Sequence, residues 1–485
     1  MKYYKLILCI FLIIILFKSC SDNTIYFENS YLIEDINIID PIEGIQKNMT
    51  LVISGNKIIN IFKTPQIEVS ARNIIYNGSE KYVMPGLWDS HIHFAYETDL
   101  ADAMPDLFLA YGITSLRDTG GEIEFVNSFK QKSIKNPQTT PRIKIAGPLV
   151  DGKYNVYDGS SPNYPALSIK TMNVEDLEKQ VKSLIEKKVD FLKAYEMLNP
   201  KQFEAITEIA KKNNLKLTGH VPLSMDVITA SNLGLNSMEH LRNIELSMSI
   251  HSDKLLKERK DILKNKNQIK GSQLRSLLHQ KQRFKSVYSL DSTKVKKVVS
   301  VLAKNKTWQI PTLILYQNFV YKKYKDSSYT SSFDVLPKRK KEEWLNEIKG
   351  IPDDLNEDLK NYNEWTQKMV GYMNLNGVKF MAGTDVPIGY LIPGLSLHQE
   401  LLELKKSGLS NKEVIQSATN NPAKYFNMND SLGSIKIGYI ADLIILDKNP
   451  LEDIENTQSI NAVIKDGNYL NRNYLDSLLY KKEHH

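Results

Sequence analysis

Cysteine is nearly absent from this chain of 485 residues. The two cysteines are Cys9 and Cys20, and none follows residue 20. The main body of the chain therefore has no thiols for internal disulfides, for zinc thiolate sites, for iron–sulfur clusters or for a cysteine nucleophile. Any metal site in the main body must use nitrogen and oxygen ligands.

A strong charge of one sign is also missing. Lysine and arginine number 63 against 56 aspartates and glutamates, and a net charge of +7 on this length does not by itself indicate a nucleic-acid partner. Hydrophobic residues make up 42% and charged residues 25%, which is ordinary for a globular protein with a buried core. At about 150 residues per domain, the length predicts two or three units, or one barrel with additions.

The N-terminal apolar run, residues 6–17, is too short for the ~20 residues that span a bilayer. It follows two lysines and ends at Phe17, Lys18, Ser19 and Cys20. This pattern predicts a signal peptide over residues 1–20 and resembles a bacterial lipoprotein leader with Cys20 as the acylated residue. We therefore expect an exported protein, periplasmic or anchored to the outer membrane by lipid, with plain secretion, an uncleaved anchor and a buried N-terminal helix as alternatives.

Short β-branched runs lie near both ends of the chain. They are separated by glycine and proline, as expected of hairpin strands, and cover residues 33–40, 49–53, 57–62, 434–437, 441–446 and 462–465. We expect both sets to form one small β-sandwich domain, with residues 21–82 as its N-terminal part and 431–485 as its C-terminal part.

Between the two ends, strand-like runs alternate with helical patterns. The strand candidates are residues 82–91, 113–117, 142–146, 189–194, 215–220, 237–240, 309–315 and 378–383, and helical patterns cover residues 174–188, 201–213 and 364–376. Eight alternating units predict a (β/α)₈ barrel over residues 83–430. The long gaps at 241–308 and 316–377 are expected either to cover the barrel mouth and select substrate or to be solvated decoration.

The first barrel strand closes on two histidines, His91 and His93, two positions apart. Side chains alternate along a strand, so both imidazoles lie on the same side. At the C-terminal end of a barrel strand this spacing points to a metal site, although a lone His-x-His pair is a weak signal.

Lys193 stands in the middle of the apolar fourth strand. An unpaired buried ammonium is costly, so one interpretation is a salt bridge to a barrel carboxylate. The other is that a depressed pKa lets the amine react with carbon dioxide, which gives a carbamate whose two oxygens can bridge two metals.

Three more strands end in potential ligands: His220 after the fifth, His240 after the sixth and Asp385 after the eighth. Taken singly, each histidine is more often a core residue than a ligand. Together with His91, His93 and Lys193, they predict one cluster at the C-terminal end of the barrel.

These residues carry a family resemblance over residues 30–470. The matching elements are His91-Ile92-His93, Lys193-Ala194-Tyr195, Gly219-His220-Val221, Glu239-His240, Gly383-Thr384-Asp385, residues 112–118 and residues 431–443. The chain resembles the amidohydrolase superfamily and, within it, the imidazolonepropionase-related and prolidase-like metal-dependent hydrolases.

The resemblance implies a binuclear centre. In it, His91, His93 and Asp385 bind the more buried metal, His220 and His240 bind the other, and carbamylated Lys193 bridges both. The net charge of this centre would be about +1, from two divalent ions, a carbamate, Asp385 and a bridging hydroxide. A positive centre favours an anionic transition state. Zinc is the expected metal because imidazole suits it, with manganese, cobalt or iron as alternatives.

The expected reaction is hydrolysis of an amide or peptide C–N bond by the bridging hydroxide, with Asp385 as proton carrier. Tyr195 is a candidate donor to the oxyanion or a core residue, and His398 is a candidate substrate contact. Arg117 and Asp118 are expected to form a structural pair, and His484 and His485 a solvated tail. The expected substrate is a dipeptide or another small molecule.

Two other functions remain open at this stage. One is a mononuclear cyclic amidohydrolase or deaminase, which Lys193 argues against. The other is a non-catalytic surface binding lipoprotein, which would have no need of a carbamate.

Overall fold

The computed structural model describes residues 24–25, 27, 29–64, 68–69, 74–264 and 269–480. The predicted leader with Cys20, and the terminal His484 and His485, lie outside these residues. Within the described part of the chain, no helix is both long and apolar enough to cross a bilayer.

Among the described residues, strands alternate with helices over residues 87–310, strands alone precede this part, and helices alone follow it as far as residue 425. The strands are β1 (Thr24–Ile25), β2 (Ser30–Asp40), β3 (Gly44–Ser54), β4 (Lys57–Lys63), β5 (Glu68–Val69), β6 (Ile74–Asn77), β7 (Tyr82–Pro85), β8 (Leu87–Ile92), β9 (Ile113–Asp118), β10 (Arg142–Ile145), β11 (Leu149–Asp151), β12 (Ser168–Lys170), β13 (Phe191–Ala194), β14 (Lys216–Gly219), β15 (Ser237–Glu239), β16 (Trp308–Ile310), β17 (Leu443–Leu446), β18 (Ile460–Lys465) and β19 (Asn468–Asn471).

The α-helices are α1 (Met104–Ala110), α2 (Ile123–Lys135), α3 (Val174–Glu186), α4 (Pro200–Lys212), α5 (Val227–Leu233), α6 (Ile244–Met248), α7 (Ser252–Lys264), α8 (Gly271–Val287), α9 (Ser292–Asn305), α10 (Leu313–Tyr321), α11 (Ser327–Thr330), α12 (Lys338–Lys349), α13 (Glu357–Leu375), α14 (Leu395–Lys406), α15 (Asn411–Ser417), α16 (Asn420–Tyr425) and α17 (Arg472–Leu479). Several of them begin at a residue whose side chain caps the first turn. Before α4, for example, Asn199 and Gln202 form a capping box around Pro200 at the first turn.

Parallel strands form the centre of the molecule. One sheet has the order β10-β9-β8, and another has the order β12-β11-β13-β14-β15-β16. Backbone hydrogen bonds link the two, because Asp190 N donates to Ile145 O over 2.9 Å. These strands are buried along most of their length, as expected when helices cover a parallel sheet.

The eighth predicted strand, residues 378–383, is irregular but occupies the place of a strand. Its backbone bonds on one side to Gln309 of β16 and on the other to Ser90 of β8, and isolated parallel bridges join Gln309 to Phe380 and Ile92 to Val386. The result is a mixed α/β fold with a TIM-barrel-like arrangement.

Two of the predicted strands need correction. The run 82–91 is broken at Gly86, so that β7 joins the end sheet and β8 joins the barrel-like layer. The run 309–315 is a strand only over Trp308–Ile310, because Pro311 ends it and the apolar residues that follow form α10.

Strands from both chain ends share one sheet of eight strands. Its order is β19-β18-β17-β7-β2-β3-β4, and β6 pairs with β2 at the side. Residues from both ends pack into one apolar cluster that includes Ile33, Leu51, Leu443 and Ile464. Among the described residues this is a single sheet, so the two-layered sandwich and the domain limits remain predictions, and 434–437 is irregular rather than a strand.

Both long insertions are folded into helices and are not extended, solvated segments. The first contains α6–α9, and the second contains the end of α10 and all of α11–α13. Leu274 and Leu278 of the first, and Phe333 and Trp344 of the second, are almost fully buried in the main core. Their packing fixes the helices against the barrel-like layer.

Candidate metal centre

The structure brings the predicted ligands to one cavity. Its lining includes His91, His93, Lys193, His220, His240 and Asp385, together with Leu149, Tyr157, Tyr195, Arg242 and Ile388. The ligand candidates come from the ends of β8, β13, β14 and β15 and from the segment that follows residue 380. The cavity therefore lies at the C-terminal ends of the parallel strands, where the sequence placed it.

Close backbone packing sets this arrangement. A Cβ atom on Gly383 would stand 2.7 Å from Ile310 Cγ2 and 2.9 Å from His91 Cβ, so a side chain there would push the segment away from β8. His240 and Asp385 adopt left-handed backbone conformations with φ of 62° and 70°. Such strain in residues other than glycine is concentrated at functional sites in proteins.

The closest group of side chains is formed by His91, His93 and Asp385. The Nε2 atoms of the two histidines lie 3.3 Å apart. Asp385 Oδ1 lies 3.0 Å from His91 Nε2 and 3.2 Å from His93 Nε2. One ligand atom from each residue fits within a sphere of metal-site size, since the three lie within 4.8 Å of one another.

The remaining histidines extend this group across the cavity. His240 Nε2 lies 3.6 Å from Asp385 Oδ2, the carboxylate oxygen that is not in contact with His93. The His240 ring is 4.9 Å from the ring of His91 and 5.1 Å from that of His220, measured between centroids. Asp385 is thus shared between the first pair of histidines and His240.

Oxygen atoms behind the cavity orient three of the imidazoles through Nδ1. His93 is held by Gly120 O at 3.2 Å, His220 by Glu196 Oε1 at 2.7 Å, and His240 by Thr312 Oγ1 at 2.6 Å. Metal-binding histidines in proteins are typically fixed in this way, with the other nitrogen left for the ion. The buried Nε2 of His220 has no hydrogen-bond partner among the described residues.

Burial favours the neutral form of three of the imidazoles, those of His91, His220 and His240. It lowers the pKa of His91 to about 4 and holds the pKa values of His220 and His240 well below the ordinary value. Burial raises the pKa of Asp385, but the imidazoles of His91 and His240 outweigh this and hold it well below its usual range. Neutral imidazoles beside an ionised carboxylate are the protonation states that metal ligation requires.

Lys193 is almost fully buried beside an acidic partner. Its Nζ lies 3.7 Å from Glu239 Oε2, and Arg117 Nη2 lies 2.7 Å from the other oxygen of the same carboxylate, Oε1. Thr218 also donates to Glu239. Burial lowers the pKa of Lys193 although Glu239 and Asp385 act in the opposite direction. The salt-bridge interpretation is therefore realised, and the amine also lines the cavity.

The donor set fits divalent metal ions. Four imidazoles and an ionised carboxylate offer the N/O ligands that zinc and similar ions prefer. His91, His93 and His220 line the same cavity. The Nε2 atom of His220 has no hydrogen-bond partner there among the described residues.

Tyr195 also reaches the cavity. Its ring lies 4.5 Å from that of His220, and Arg275 Nη1 donates to its hydroxyl over 3.3 Å. Burial raises the pKa of Tyr195 well above its ordinary value, so the hydroxyl remains protonated.

His398 lies elsewhere. Its Nδ1 is 2.9 Å from Thr457 Oγ1 and its Nε2 is 2.9 Å from Tyr111 O, and it is not part of the cavity lining. Both nitrogens are used in packing α14, so the structure gives the predicted substrate contact no support.

The expected pair of Arg117 and Asp118 is also replaced by other contacts. Arg117 binds Glu239, while Asp118 accepts from the backbone of Phe94 and Gly120. Adjacent strand residues point to opposite faces, which separates the two side chains.

Three charged residues in or next to the cavity were missed from the sequence: Arg242, which lines it, and Glu196 and Arg275, which contact lining residues. Glu196 directly follows Tyr195, and Arg242 stands two positions after His240, so proximity to the motifs was an available signal. Arg275 comes from α8 in the first insertion, and its position depends on tertiary packing.

Comparisons with known proteins agree with this geometry. The model of the Amidohydrolase family matches residues 313–470. No curated protein matches the sequence.

Solved structures share the fold over most of the chain. A Xaa-Pro dipeptidase with bound methionine has a TM-score of 0.66 at 20% identity, covering 91% of this chain and 100% of that one. A putative prolidase from Bifidobacterium longum has a TM-score of 0.64 at 20% identity, with 93% and 98% covered. A bottromycin amidohydrolase has a TM-score of 0.67 at 16% identity, with 93% and 89% covered.

These relatives are named as enzymes of amide or peptide bonds. The resemblance to the amidohydrolase superfamily that the sequence motifs predicted, with prolidase-like structures among the relatives, is thereby confirmed.

Proposed function

We propose that this protein is a binuclear metal-dependent amidohydrolase that cleaves a C–N bond of an amide or peptide. The observation that carries the proposal is the convergence of four imidazoles, Asp385 and Lys193 on one cavity at the strand ends. The buried Nε2 of His220 has no hydrogen-bond partner among the described residues, so it is available to a metal ion.

Two divalent ions would be held as follows. His91, His93 and Asp385 would bind one, His220 and His240 the other, and carbamylated Lys193 would contact both. Such ions supply Lewis acidity, which polarises a carbonyl and lowers the pKa of water toward 7. Zinc remains the proposed occupant, on the strength of the imidazole ligands.

The surrounding charges are compatible with a carbamate on Lys193. Arg117 contacts Glu239 directly, so it compensates this carboxylate when Lys193 loses its positive charge. The carbamate and Asp385 would then carry the negative charge that two cations require. In the protein without carbamate, the Lys193 ammonium and Glu239 form the observed ion pair instead.

Asp385 is placed to carry the proton of the reaction. Its Oδ1 faces His91 and His93 while Oδ2 faces His240, so the carboxylate reaches across the cavity. We propose that it accepts a proton from the attacking water and passes it to the leaving amine, a role that commonly contributes 10² to 10⁴-fold.

Tyr195 is the proposed donor to the oxyanion. An arginine can only donate, so the hydroxyl oxygen of Tyr195 must accept from Arg275. The hydroxyl proton then remains available to the cavity, where a positioned donor stabilises developing negative charge.

A peptide-type substrate is proposed because the relatives include a Xaa-Pro dipeptidase and a putative prolidase. We further propose that the parallel strands close as a (β/α)₈ barrel, and that the leader exports the protein and anchors it through acylated Cys20.

A second candidate is a mononuclear cyclic amidohydrolase. The observation that favours it is that His91, His93 and Asp385 already form a compact three-ligand site. A single metal per chain and activity on a cyclic amide would select this function.

The experiment is a dipeptide-library screen of the protein reconstituted with Zn²⁺ and bicarbonate, run on wild type and Lys193→Ala. We expect Lys193→Ala to lose at least about 10²-fold in kcat/KM, because metal activation supplies several kcal/mol, and to regain part of it with acetate or propionate. Full activity in Lys193→Ala without added acids would refute the bridging role.

Lys465 provides a matched control for this variant. It is also almost fully buried and pairs with Asp442 at 3.1 Å, but it lies in the end sheet. Lys465→Ala should lower stability while leaving the metal content unchanged.

A further inference from the structure

The first insertion is strongly basic, in contrast to the rest of the chain. Residues 241–308 hold 17 lysines and arginines against 5 aspartates and glutamates, an excess of 12 positive charges. The whole chain has a net charge of +7, so the other residues together carry a net charge of −5. The positive charge of this protein is therefore concentrated in one inserted segment, where it can attract a partner of opposite charge.

Lysine and arginine are separated by burial within this insertion. Its arginines are buried or half-buried, whereas the exposed cations among its described residues are all lysines: Lys254, Lys257, Lys260, Lys264, Lys270, Lys281, Lys285, Lys296, Lys297, Lys304 and Lys306. Arginine binds phosphate and nucleic acid in a fixed geometry, whereas lysine is a hydrated point charge on a flexible stem. The exposed surface is therefore suited to attraction by a charged plane.

Helix α9 presents the clearest basic face. Its sequence contains no acidic residue. Val298 and Leu302 are buried against the rest of the protein, while Lys296, Lys297 and Lys304 are exposed. Lys297 and Lys304 are seven residues apart, so they lie on the same side of the helix, two turns from each other.

Helix α7 lies beside α9 and extends this basic face. Lys294 Nζ of α9 donates to Ser252 Oγ of α7 over 2.6 Å. A groove between the helices is lined by Leu256 of α7 and Lys297 of α9. Asp226, which also borders the groove, accepts from the backbone as the N-cap of α5. The exposed lysines of α7 and α9 thus belong to one continuous surface.

The few acidic side chains of the insertion do not cancel this charge. Glu245 is fully buried, Glu258 is half-buried, and Asp291 caps the first turn of α9. Asp253 and Asp261 are exposed, but each has a lysine Nζ within 4.0 Å. The exposed surface of the insertion therefore remains positive as a whole.

Exposed apolar side chains stand at one end of these helices. The loops α6–α7 and α8–α9 pair there, since Ile250 N donates to Ser289 O over 2.7 Å. Ile250 is 54% exposed, Tyr288 59% and Leu290 36%, and we call these three residues the apolar tip. The hydroxyl of Tyr288 donates to Asp358 Oδ1 over 2.9 Å, which fixes the ring at the surface. Aliphatic and aromatic side chains beside lysines are typical of surfaces that enter the headgroup region of a bilayer.

We propose that the first insertion docks on an anionic phospholipid bilayer, with the exposed lysines of α7 and α9 over the headgroups and the apolar tip between them. Anionic headgroups strengthen binding by about 5-fold for each lysine held close to the bilayer. The apolar tip gains from a bilayer, whereas a nucleic acid would leave it in water. This contact does not use the metal centre and is independent of the proposed hydrolase activity.

Flotation of the full chain with lipid vesicles tests the proposal. The vesicles are phosphatidylcholine alone or with about one-third phosphatidylglycerol, at about 0.1 M salt. Wild type should bind the anionic vesicles at least about 10²-fold more tightly, and this preference should disappear near 1 M salt, where charges are screened within about 3 Å. The N-terminal apolar run is the same in every variant, so its contribution cancels in the ratio of the two affinities.

The decisive variant removes three charges from α9 and combines Lys296→Gln, Lys297→Gln and Lys304→Gln. Glutamine keeps a high helix propensity, so the helix should be retained. The preference for anionic vesicles should fall about 10²-fold, the product of about 5-fold for each lysine.

The matched control removes three exposed lysines of α3 and α4 and combines Lys179→Gln, Lys182→Gln and Lys201→Gln. It has the same change in net charge but lies outside the basic surface, so its preference should stay close to that of wild type. Thermal unfolding of both triple variants verifies that they are folded.

Ile250→Ser tests the apolar tip separately. It should weaken binding to the anionic vesicles about 5-fold, because less apolar surface leaves water, and the salt dependence should not change. Unchanged binding of Ile250→Ser would show that the tip stays in water, which overturns the proposed orientation.

Three other results would overturn the docking itself. One is equal binding of wild type to neutral and anionic vesicles, and another is an unchanged preference in the triple variant of α9. The third is a double-stranded oligonucleotide that binds more tightly than the anionic vesicles and displaces them, which would make a nucleic acid the partner. Hydrolysis of dipeptides is measured separately, so failure of either proposal leaves the other intact.

Discussion

Glu196 shows how one side chain supports the candidate metal centre from behind. Its Oε1 holds His220 Nδ1 at 2.7 Å and is fully buried with it. This contact leaves Nε2 of His220 directed to the cavity. A carboxylate on Nδ1 also raises the basicity of a metal-binding imidazole.

We predict that Glu196→Gln weakens metal binding about 10-fold, because an amide orients the imidazole but no longer polarises it. Competition with a chromogenic chelator measures the change. Glu204→Gln, an exposed glutamate on α4, serves as control. Unchanged affinity in Glu196→Gln would mean that His220 does not bind the metal.

Glu400 on α14 is a buried carboxyl that should respond to pH. Its Oε2 accepts from Ile314 N at 2.8 Å, but burial raises the pKa of Glu400 to about 8. The folded-state pKa of Glu400 lies above the ordinary value of 4.5, so the folded protein favours the protonated carboxyl. This contribution to stability is complete below pH 4.5 and is lost as the pH rises from 4.5 to about 8.

We therefore predict that the unfolding free energy of wild type falls relative to Glu400→Gln between about pH 4.5 and 8, then levels off. The total is on the order of several kcal/mol. Urea titrations at pH 5 and pH 9 measure it, and Glu208→Gln, another exposed glutamate on α4, gives the baseline. Parallel stability curves for wild type and Glu400→Gln would contradict the prediction.

At the scale of elements, β13 and β14 approach each other closely beside the site. A Cβ atom on Gly219, which has φ of 148°, would stand 2.0 Å from Ala194 O. The two residues are register partners, and His220 follows directly. Displacement of this strand end would therefore move a candidate ligand.

We predict that Gly219→Ala destabilises the fold by about 1–3 kcal/mol and weakens metal binding, because the clash is with backbone and cannot be relieved by a rotamer change. Gly377→Ala is the control: Gly377 also has a positive φ of 84° but nothing within 4 Å of its Cβ position. It should cost about 1–2 kcal/mol and leave metal binding unchanged. If both variants changed metal binding equally, the close approach of Gly219 to Ala194 would not be what positions His220.

The sequence anticipated those elements whose signals are local. His220, His240 and Asp385 could be placed because each closes an apolar strand, and parallel strands end at one edge. The strand predicted over 309–315 was partly wrong because a short apolar run does not distinguish a strand from a buried helix, and only Pro311 marked the change to α10.

At the scale of the whole molecule, contacts distant in sequence complete the site. Glu239 is shared by Arg117 and Lys193 from other strands, and Arg275 arrives from an insertion helix. Such pairings depend on which strands and helices become neighbours, and no periodicity in the sequence records them. The fold class and the ligand cluster were therefore predictable, whereas the charged residues that support the site were not.

The central claim is that Lys193 and the histidines hold two divalent ions together. The most direct measurement is the metal-to-chain ratio of the full protein after reconstitution with Zn²⁺ and bicarbonate, for wild type and Lys193→Ala. We predict about two ions per chain in wild type, and one or fewer in Lys193→Ala, because a bridging ligand to both ions is lost. A ratio of one in wild type, or an unchanged ratio of two in Lys193→Ala, would contradict it.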